Sequence, residues 1–196
     1  MVEVMPSVTG GFGAIILAAG ASARLGHPKQ TIIFRGETLL DRAVRMSRAS
    51  GAGETIVVLG AFASEIRKAC QLEGCTVVQN PDWMNGMGSS IRRGIQSIGE
   101  VEGALILTCD MPALTTAHLQ MLAASGKLTA SLYNGKRGVP AYFPRTMFEL
   151  LLQLEDNRGA GHFLSSAETV PLPGGELDVD TPEDVRQLNQ LEGRSH

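Results

Sequence analysis

The sequence predicts an α/β fold, a three-layer sandwich with a mainly parallel, Rossmann-like sheet. Three observations lead to this prediction. Short apolar or β-branched runs alternate with segments of helical periodicity, glycines stand at the ends of several of these runs, and polar clusters follow several of the runs. Such alternation is typical of right-handed strand–helix–strand units. Because ligands of these sheets bind beyond the carboxyl ends of the strands, we expect the polar clusters to meet in one cleft.

The first strands and helices come from the first 80 residues. The apolar run GAIILAAG at residues 13–20 has the length and glycine borders of a strand buried on both faces. Apolar residues at helical spacing predict a helix over residues 39–50, and ETIVVLG predicts a strand over residues 54–60. A second helix over residues 63–72 and a short strand, CTVVQN, over residues 75–80 continue the alternation.

The pattern continues and then loosens toward the end of the chain. A helix is predicted over residues 88–98, and the run GALILTCDMP predicts a buried strand over residues 103–112. A helix over residues 116–124 precedes weak strands at residues 128–133 and 138–144. Two further helices are expected, one over residues 146–154 and one that begins at Thr181-Pro182, where Thr181 is the N-cap, Pro182 takes the first turn and Asp184 completes a capping box.

Composition favours a globular protein and excludes several classes of partner. The chain has 196 residues, 43% of them hydrophobic, with a net charge of −3 and no basic stripe, so we expect no nucleic-acid partner. Three cysteines without zinc-type spacing, no signal peptide and no bilayer-length apolar run predict a soluble cytoplasmic protein without a membrane partner. We expect one domain over residues 13–190, an N-terminal extension at 1–12 and a C-terminal tail at 191–196.

The glycine-rich segment LAAGASARLGHPK at residues 17–29 is the most informative stretch. Its small residues let backbone N–H groups approach a phosphate chain, Arg24 can fork across two phosphate oxygens, and Lys29 supplies a compact charge. The segment matches neither the P-loop nor the dinucleotide-binding fingerprint. A turn shaped by glycines with two solvated cations is the alternative interpretation.

Acidic residues follow two later segments. Asp110 ends a buried strand, where an unpaired acid is costly unless it faces a cleft or a cation, and Asp178 and Asp180 precede the last helix. Carboxylates are the expected ligands of the Mg²⁺ that accompanies phosphoryl and nucleotidyl transfer. The alternatives are a turn residue for Asp110 and a favourable helix-dipole position for Asp180.

Between the loop and these acids, residues 80–90 end in Ser89 and Ser90 at a predicted helix start. Hydroxyl and N–H groups at such a position can bind ribose or phosphate. A simple N-cap with a flexible turn is the alternative.

Several motifs resemble those of one family. Residues 17–29 fit L-A-A-G-x-S-x-R-[LM]-G-x-P-K, which is similar to the signature loop of the MobA-like molybdenum cofactor nucleotidyltransferases. The runs D-M-P at Asp110 and D-x-D-T-P-E-D at Asp178 resemble the acidic motifs of that family. Residues 80–90 are similar to N-P-x-W-x-x-G-M-x-S-S of the molybdopterin cytidylyltransferase branch, with Gly88 where serine is common, which predicts a looser loop. Two late motifs, at residues 138–143 and 156–160, resemble acceptor-side segments, and the resemblance covers residues 13–188.

The resemblance implies a nucleotide-diphospho-sugar transferase fold of the GT-A type and a set of site residues. Arg24 and Lys29 are the expected catalytic residues, and Mg²⁺ is expected on Asp110 and Asp180, with Asp178 as a weaker candidate. The acceptor is expected near Gly138, Pro140 and Arg158. The expected nucleotide-binding residues are Leu17, Ala18, Ala19, Gly20, Ala21, Ser22, Arg24, Lys29, Asn80, Ser89, Ser90 and Asp110.

The implied activity is Mg²⁺-dependent transfer of a nucleotide to a phosphorylated acceptor with release of pyrophosphate. The LAAG sequence favours CTP as the nucleoside triphosphate, because guanylyl-specific relatives carry a second glycine there, and the acceptor is expected to be molybdopterin. A sugar- or alditol-phosphate nucleotidyltransferase is one alternative. Another is a non-catalytic chaperone that hands a cofactor to a molybdenum hydroxylase apo-enzyme, which is also a candidate partner of the enzyme. The missing dinucleotide fingerprint disfavours a Rossmann-type oxidoreductase.

Overall fold

The computed structural model describes residues 11–193; most of the predicted extension and residues 194–196 of the predicted tail lie outside the described residues. Nine strands and six α-helices are present in this part of the chain, joined by short 3₁₀ turns. In chain order they are β1 (Gly13–Ala18), β2 (Ile33–Phe34), β3 (Glu37–Thr38), α1 (Leu39–Ala49), β4 (Glu54–Leu59), α2 (Ala63–Ala69), β5 (Thr76–Gln79), α3 (Met87–Ser97), β6 (Gly103–Thr108), α4 (Thr116–Ala123), β7 (Thr129–Tyr133), β8 (Lys136–Pro144), α5 (Phe148–Leu152), β9 (Glu168–Pro171) and α6 (Pro182–Gly193).

A seven-stranded sheet forms the middle layer, with the strand order β5-β4-β1-β6-β8-β7-β9. The first four strands in this order run parallel, and β9 runs parallel to β7. Strand β8 is antiparallel to both of its neighbours, β6 and β7. The predicted three-layer α/β sandwich with a mainly parallel, Rossmann-like sheet is therefore confirmed.

Helices cover both faces of the sheet because the central strands are apolar on both sides. All six residues of β1 are buried; Ile16 faces one layer with α1, α2 and α4, and Ile15 faces the other with α3 and α5. Gly94 of α3 packs directly on Ile15, so a side chain at that position would collide with the strand. This tight contact holds α3 directly against β1.

Several element boundaries differ from the prediction. The strand expected over residues 103–112 ends at Thr108, and the helices expected over 63–72 and 146–154 are the shorter α2 and α5. Helix α2 stops because Cys70 is extended and the next turn needs positive φ at Leu72 and Gly74. Strands β2, β3 and β9 were not predicted. Strands β2 and β3 have two residues each, which is too short for a periodic pattern, and β9 is an edge strand that is mostly exposed.

The predicted capping box at the start of α6 is confirmed. The Asp184 carboxylate accepts hydrogen bonds from the Thr181 N–H at 2.8 Å and the Asp180 N–H at 3.1 Å, and the Asp184 N–H donates to the Thr181 hydroxyl. Phe12 of the predicted extension packs edge-on against Tyr142. Among the described residues, no helix combines the length and the apolar character that a membrane span requires.

Candidate active site

A cleft of about 500 Å³ opens at the carboxyl ends of β1 and β6. Its walls come from the glycine-rich loop after β1, the turn before α3, the segment after β6 and the segment that precedes α6. The predicted residues that line it are Leu17, Ala19, Gly20, Ala21, Lys29, Ser90, Asp110 and Asp180. The structure therefore brings the loop and Asp110 into one cleft, as the strand ends predicted, and it places the second acidic motif, at Asp180, in the same cleft.

The two acidic motifs meet through a backbone hydrogen bond. The Val179 N–H donates to the Asp110 carbonyl at 3.0 Å, and the Val179 side chain is fully buried against Phe34, Leu39 and Leu188. This contact holds the segment that carries Asp180 beside the end of β6. The carboxylates of Asp110 and Asp180 consequently face the same space.

Lys29 lies between these two carboxylates. Its ammonium donates to Asp110 Oδ2 and, at 2.5 Å, to Asp180 Oδ1. Burial lowers the pKa of Lys29, but the attraction and hydrogen bonds of Asp110 and Asp180 outweigh that effect and raise it above its ordinary value. Lys29 is therefore a permanent cation at this end of the cleft.

Arg24 extends the network from the solvent side. Its guanidinium donates to Asp180 Oδ2 at 2.7 Å, and its side chain remains 69% exposed. Two cations thus share one carboxylate, Lys29 on one oxygen and Arg24 on the other. Arg24 can rotate without losing a buried contact, because its side chain is already largely in water.

Ser22 and Gln30 shape the loop around Lys29. The Lys29 N–H donates to the Ser22 hydroxyl at 3.1 Å, and Ser22 itself adopts a positive φ of 47°. Gln30 is 1% exposed, and its amide NH₂ donates to the carbonyls of Ala18 at 2.8 Å and Gly20 at 3.4 Å. Ala18 is buried, and its carbonyl accepts this hydrogen bond from Gln30.

Asp178 also lines the cleft, and its surroundings disfavour its charge. Partial burial, Asp110 and Asp180 raise the pKa of Asp178 to about 6, while Lys29 opposes this shift. Because the folded pKa exceeds the ordinary value of 3.8, the protonated carboxyl favours folding, and this stability is lost as the pH rises through about 6.

Replacing Asp178 with asparagine should therefore stabilise the metal-free protein at high pH only. We expect the free energy of unfolding to rise by roughly 1 kcal/mol at pH 8, a value reduced for screening by water. At pH 3, below both pKa values, the change should be close to zero, because the carboxyl is then mostly protonated in the folded and the unfolded protein. Urea unfolding in the presence of a chelator measures both values, and an equal gain at the two pH values would contradict this electrostatic origin.

The carboxylates of Asp110 and Asp180 fit a divalent ion that takes its other ligands from phosphate and water. Asp110 Oδ1 is buried and has no hydrogen-bond partner in the part of the chain that the structure describes. The Asp180 carboxylate lies close enough to Asp110 for both to accept hydrogen bonds from the Lys29 ammonium. Within residues 11–193, no group of three or more His, Cys, Asp or Glu side chains is arranged to hold a metal. Mg²⁺ commonly takes one or two carboxylates and completes its shell with water and phosphate, so Asp110 and Asp180 fit this mode of binding.

Asn80 and Ser89 lie beside the cleft, in the wall behind Ser90. The Asn80 amide donates to the hydroxyls of Ser89 at 2.8 Å and Ser90 at 3.0 Å, and Ser89 donates to the Gly86 carbonyl at 2.8 Å. Both residues are at least 95% buried. They hold the turn before α3 in place, and Ser90 is the member of the three that reaches the cleft.

The predicted acceptor residues lie in two places, some beside the cleft and one outside it. Gly138 and Pro140 flank Val139, which lines the cleft and accepts a hydrogen bond from the Tyr133 hydroxyl at 3.1 Å. Arg158 lies outside the cleft, where its guanidinium is 3.7 Å from Glu155 and its side chain lines a separate small pocket with His162 and Phe163.

A family model described as the MobA-like NTP transferase domain matches residues 14–170. The chain belongs to this family. It is therefore a nucleotidyltransferase, and the family resemblance predicted from the loop is confirmed. The matched region contains the glycine-rich loop, Lys29 and Asp110 but ends before Asp180. Asp180 reaches the site because the Val179 N–H binds the Asp110 carbonyl.

Individual relatives carry different names. This MobA-like chain is 34% identical over 134 residues to nicotine blue oxidoreductase of Paenarthrobacter nicotinovorans. The aligned region covers 66% of this chain and 64% of that protein, a little under two thirds of its length. It is 25% identical over 178 residues to molybdenum cofactor cytidylyltransferase of Escherichia coli, which covers 87% of this chain and 91% of the relative.

Among solved structures, Rv0371c from Mycobacterium tuberculosis H37Rv matches with a TM-score of 0.82 and 30% identity over 92% of this chain and 98% of that one. The same mycobacterial protein in complex with manganese matches with a TM-score of 0.78 and 27% identity over the same shares of the two chains. A divalent metal thus binds to a protein of this fold.

Gly88 departs from the pattern of the MobA-like family for a structural reason, and the predicted loosening of the loop is wrong. The Gly88 N–H donates to the Asp156 carbonyl at 2.9 Å, and a Cβ at Gly88 would collide with the Glu155 carbonyl and lie 2.8 Å from the Arg158 carbonyl. The absence of a side chain therefore lets the start of α3 pack tightly on the late loop.

Replacing Gly88 with serine should therefore destabilise this MobA-like protein by about 2 kcal/mol, as expected for overpacking against a backbone that cannot retreat. Chemical denaturation measures the change in the free energy of unfolding. Gly161→Ser is a matched control, because a Cβ at that position would meet no atom of the described residues within 4 Å. Equal stability of the two variants would contradict the close contact.

The sequence prediction missed much of the cleft lining. The missed residues are Gln30, Trp83, Met84, Gly86, Met87, Thr108, Cys109, Met111, Tyr133 and Val139. Trp83 and the two exposed methionines stand inside the N-P-x-W-x-x-G-M-x-S-S motif, so the motif itself was a usable signal for the apolar wall. Tyr133 gave no comparable signal, because its place in the cleft depends on the pairing of β7 with β8.

Proposed function

We propose that the chain is a Mg²⁺-dependent nucleotidyltransferase that joins a nucleoside triphosphate, with CTP favoured, to the phosphate of a molybdopterin-type acceptor and releases pyrophosphate. The observation that supports this most directly is the contact of Lys29, from the glycine-rich loop, with both Asp110 and Asp180 in one cleft. A molybdenum hydroxylase apo-enzyme is the partner that this acceptor implies.

The proposed reaction is an in-line attack by the acceptor phosphate on the α-phosphorus of the triphosphate, without a covalent enzyme intermediate. Backbone N–H groups of the loop at Gly20 and Ala21 receive the triphosphate, and Arg24 and Lys29 neutralise its oxygens as charge develops. Asp110 and Asp180 would hold Mg²⁺, which supplies further neutralisation of the phosphate oxygens. Most of the rate then comes from positioning and electrostatics.

The LAAG sequence and the cytidylyltransferase relative support CTP as the nucleotide. Equilibrium binding of CTP, GTP and ATP in the presence of Mg²⁺ tests this choice. We expect CTP to bind at least about tenfold more tightly than GTP, a difference of about 1.4 kcal/mol. Tighter binding of GTP would reject the base assignment and leave the reaction class intact.

Pyrophosphate release with purified protein, CTP, Mg²⁺ and molybdopterin tests the reaction itself. Sugar phosphates and alditol phosphates replace molybdopterin in parallel assays, and turnover with one of these alone would establish the alternative nucleotidyltransferase. Nucleotide binding without pyrophosphate release from any acceptor would instead identify a cofactor-binding chaperone.

A second candidate follows from the 34% identity to a protein named nicotine blue oxidoreductase. In that case the apolar wall formed by Trp83, Met84 and Met87 would hold a flat reducible substrate. Oxidation of NADH or NADPH by the purified protein with a quinonoid dye tests this activity. Dye-dependent oxidation that persists in Lys29→Met, together with no pyrophosphate release, would favour the oxidoreductase.

A further inference from the structure

We propose that Lys29 is an internal cation that closes the metal site of the ligand-free enzyme and that a divalent ion must expel it from between Asp110 and Asp180. The expelled ammonium then points to the triphosphate, so metal entry and phosphate binding are coupled through one side chain. This inference rests on the proposed function, since it uses the proposed metal ligands.

The carboxylate oxygens show why the metal and Lys29 compete. Lys29 occupies Asp110 Oδ2 and Asp180 Oδ1, and Arg24 occupies Asp180 Oδ2. The remaining oxygen, Asp110 Oδ1, is buried and has no hydrogen-bond partner within residues 11–193. A divalent ion bound by both residues therefore lies beside Asp110 and competes with at least one of the two cations for the oxygens of Asp180.

The charges indicate that Lys29 is the cation that leaves. The Lys29 side chain is 17% exposed and the Asp110 side chain 8%, so water screens this pair poorly. Two further positive charges placed beside the ammonium would repel it strongly, whereas the guanidinium of Arg24 is 69% exposed and well screened. With Lys29 in place, metal affinity is low.

The backbone around Lys29 allows its side chain to move alone. Its N–H is held by the Ser22 hydroxyl, and the adjacent Gln30 is buried and bound to the Ala18 and Gly20 carbonyls. The loop therefore stays in place while the four-carbon stem rotates. Gly20 and Ala21 line the same cleft as Lys29, so the displaced ammonium reaches the phosphate-binding wall without leaving the site.

Binding of Mn²⁺ without nucleotide tests the competition. Titration calorimetry or electron paramagnetic resonance would compare the wild type with Lys29→Met, Lys29→Arg and Arg24→Met. We expect Lys29→Met to bind Mn²⁺ about tenfold or more tightly than the wild type, Lys29→Arg to remain weak, and Arg24→Met to gain less than Lys29→Met. Lys127→Met is the control for the loss of a distant positive charge and should leave affinity unchanged, because Lys127 pairs with Glu168.

Unchanged or weaker Mn²⁺ binding by Lys29→Met would overturn the competition while leaving the proposed reaction intact. Absence of Mn²⁺ binding in both the wild type and Lys29→Met would overturn the metal site as well. Equal gains in Lys29→Met and Arg24→Met would show a general charge effect and also reject the specific role of Lys29.

A second measurement uses the unaltered protein and does not depend on the folding of a variant. Acetylation of lysine amines, followed by mass spectrometry, reports the accessibility of Lys29 with and without saturating Mg²⁺. We expect the labelling rate of Lys29 to rise several-fold with Mg²⁺, while that of Lys127 stays constant as the internal control. A Lys29 rate that does not respond to Mg²⁺ would overturn the expulsion.

Discussion

Replacing Lys29 with methionine is expected to reduce the rate of pyrophosphate release by about 10²- to 10³-fold, the usual effect of removing one positioned charge from a transferring phosphate. Methionine keeps most of the length of the side chain, with sulfur in place of Cδ, and lacks the ammonium. Steady-state kinetics with saturating CTP and acceptor measures the loss. A rate within threefold of the wild type would reject the role of Lys29 in the reaction.

The same substitution should also affect stability. It leaves the buried Asp110 carboxylate without its cation, and we expect the metal-free variant to lose about 1–3 kcal/mol in its free energy of unfolding. Mg²⁺ should restore part of this loss, because the ion binds the folded form. Thermal unfolding with and without Mg²⁺ separates the effect on the fold from the effect on the reaction.

Replacing Asp110 with asparagine should reduce activity by about 10³-fold or more, because the change removes the charge of a proposed metal ligand and keeps the shape of the side chain. Mn²⁺ binding should weaken in parallel. The loss should persist at saturating CTP, since the missing charge acts on the reacting phosphates. Pyrophosphate release and Mn²⁺ titration on the same preparation measure the two effects.

Glu168→Gln is a control for the loss of a carboxylate charge far from the cleft. Glu168 pairs with Lys127 at 3.1 Å on the surface, and it is not among the residues that line the cleft. The control should keep activity within about threefold of the wild type. Equal losses in the two variants would contradict a specific metal role for Asp110.

The positions of the loop and of Asp110 could be predicted because both depend on local rules. Each follows a buried strand of a parallel sheet, and the carboxyl ends of such strands share one edge. The convergence of Asp180 with Asp110 followed from the family resemblance alone. The structural cause is the hydrogen bond from the Val179 N–H to the Asp110 carbonyl, which joins distant parts of the chain and leaves no local pattern.

Three other features could not be predicted, because they also depend on contacts between distant parts of the chain. The collision that requires glycine at position 88 involves the backbone of Glu155 and Arg158, which the sequence does not place beside α3. Arg158 sits in a plausible motif, but the direction of its side chain depends on how that late loop packs. Gln30 looks like an ordinary polar residue, and its burial under the glycine-rich loop becomes visible only when the loop is folded.

A crystal structure of the protein with CTP and Mn²⁺ tests the central claim most directly, because anomalous scattering locates the ion. We expect the ion to lie about 2.1 Å from carboxylate oxygens of Asp110 and Asp180, with its remaining ligands from phosphate and water. The triphosphate should contact the backbone of Gly20 and Ala21. An ion bound away from these aspartates, or a triphosphate bound outside the cleft, would contradict the proposed site.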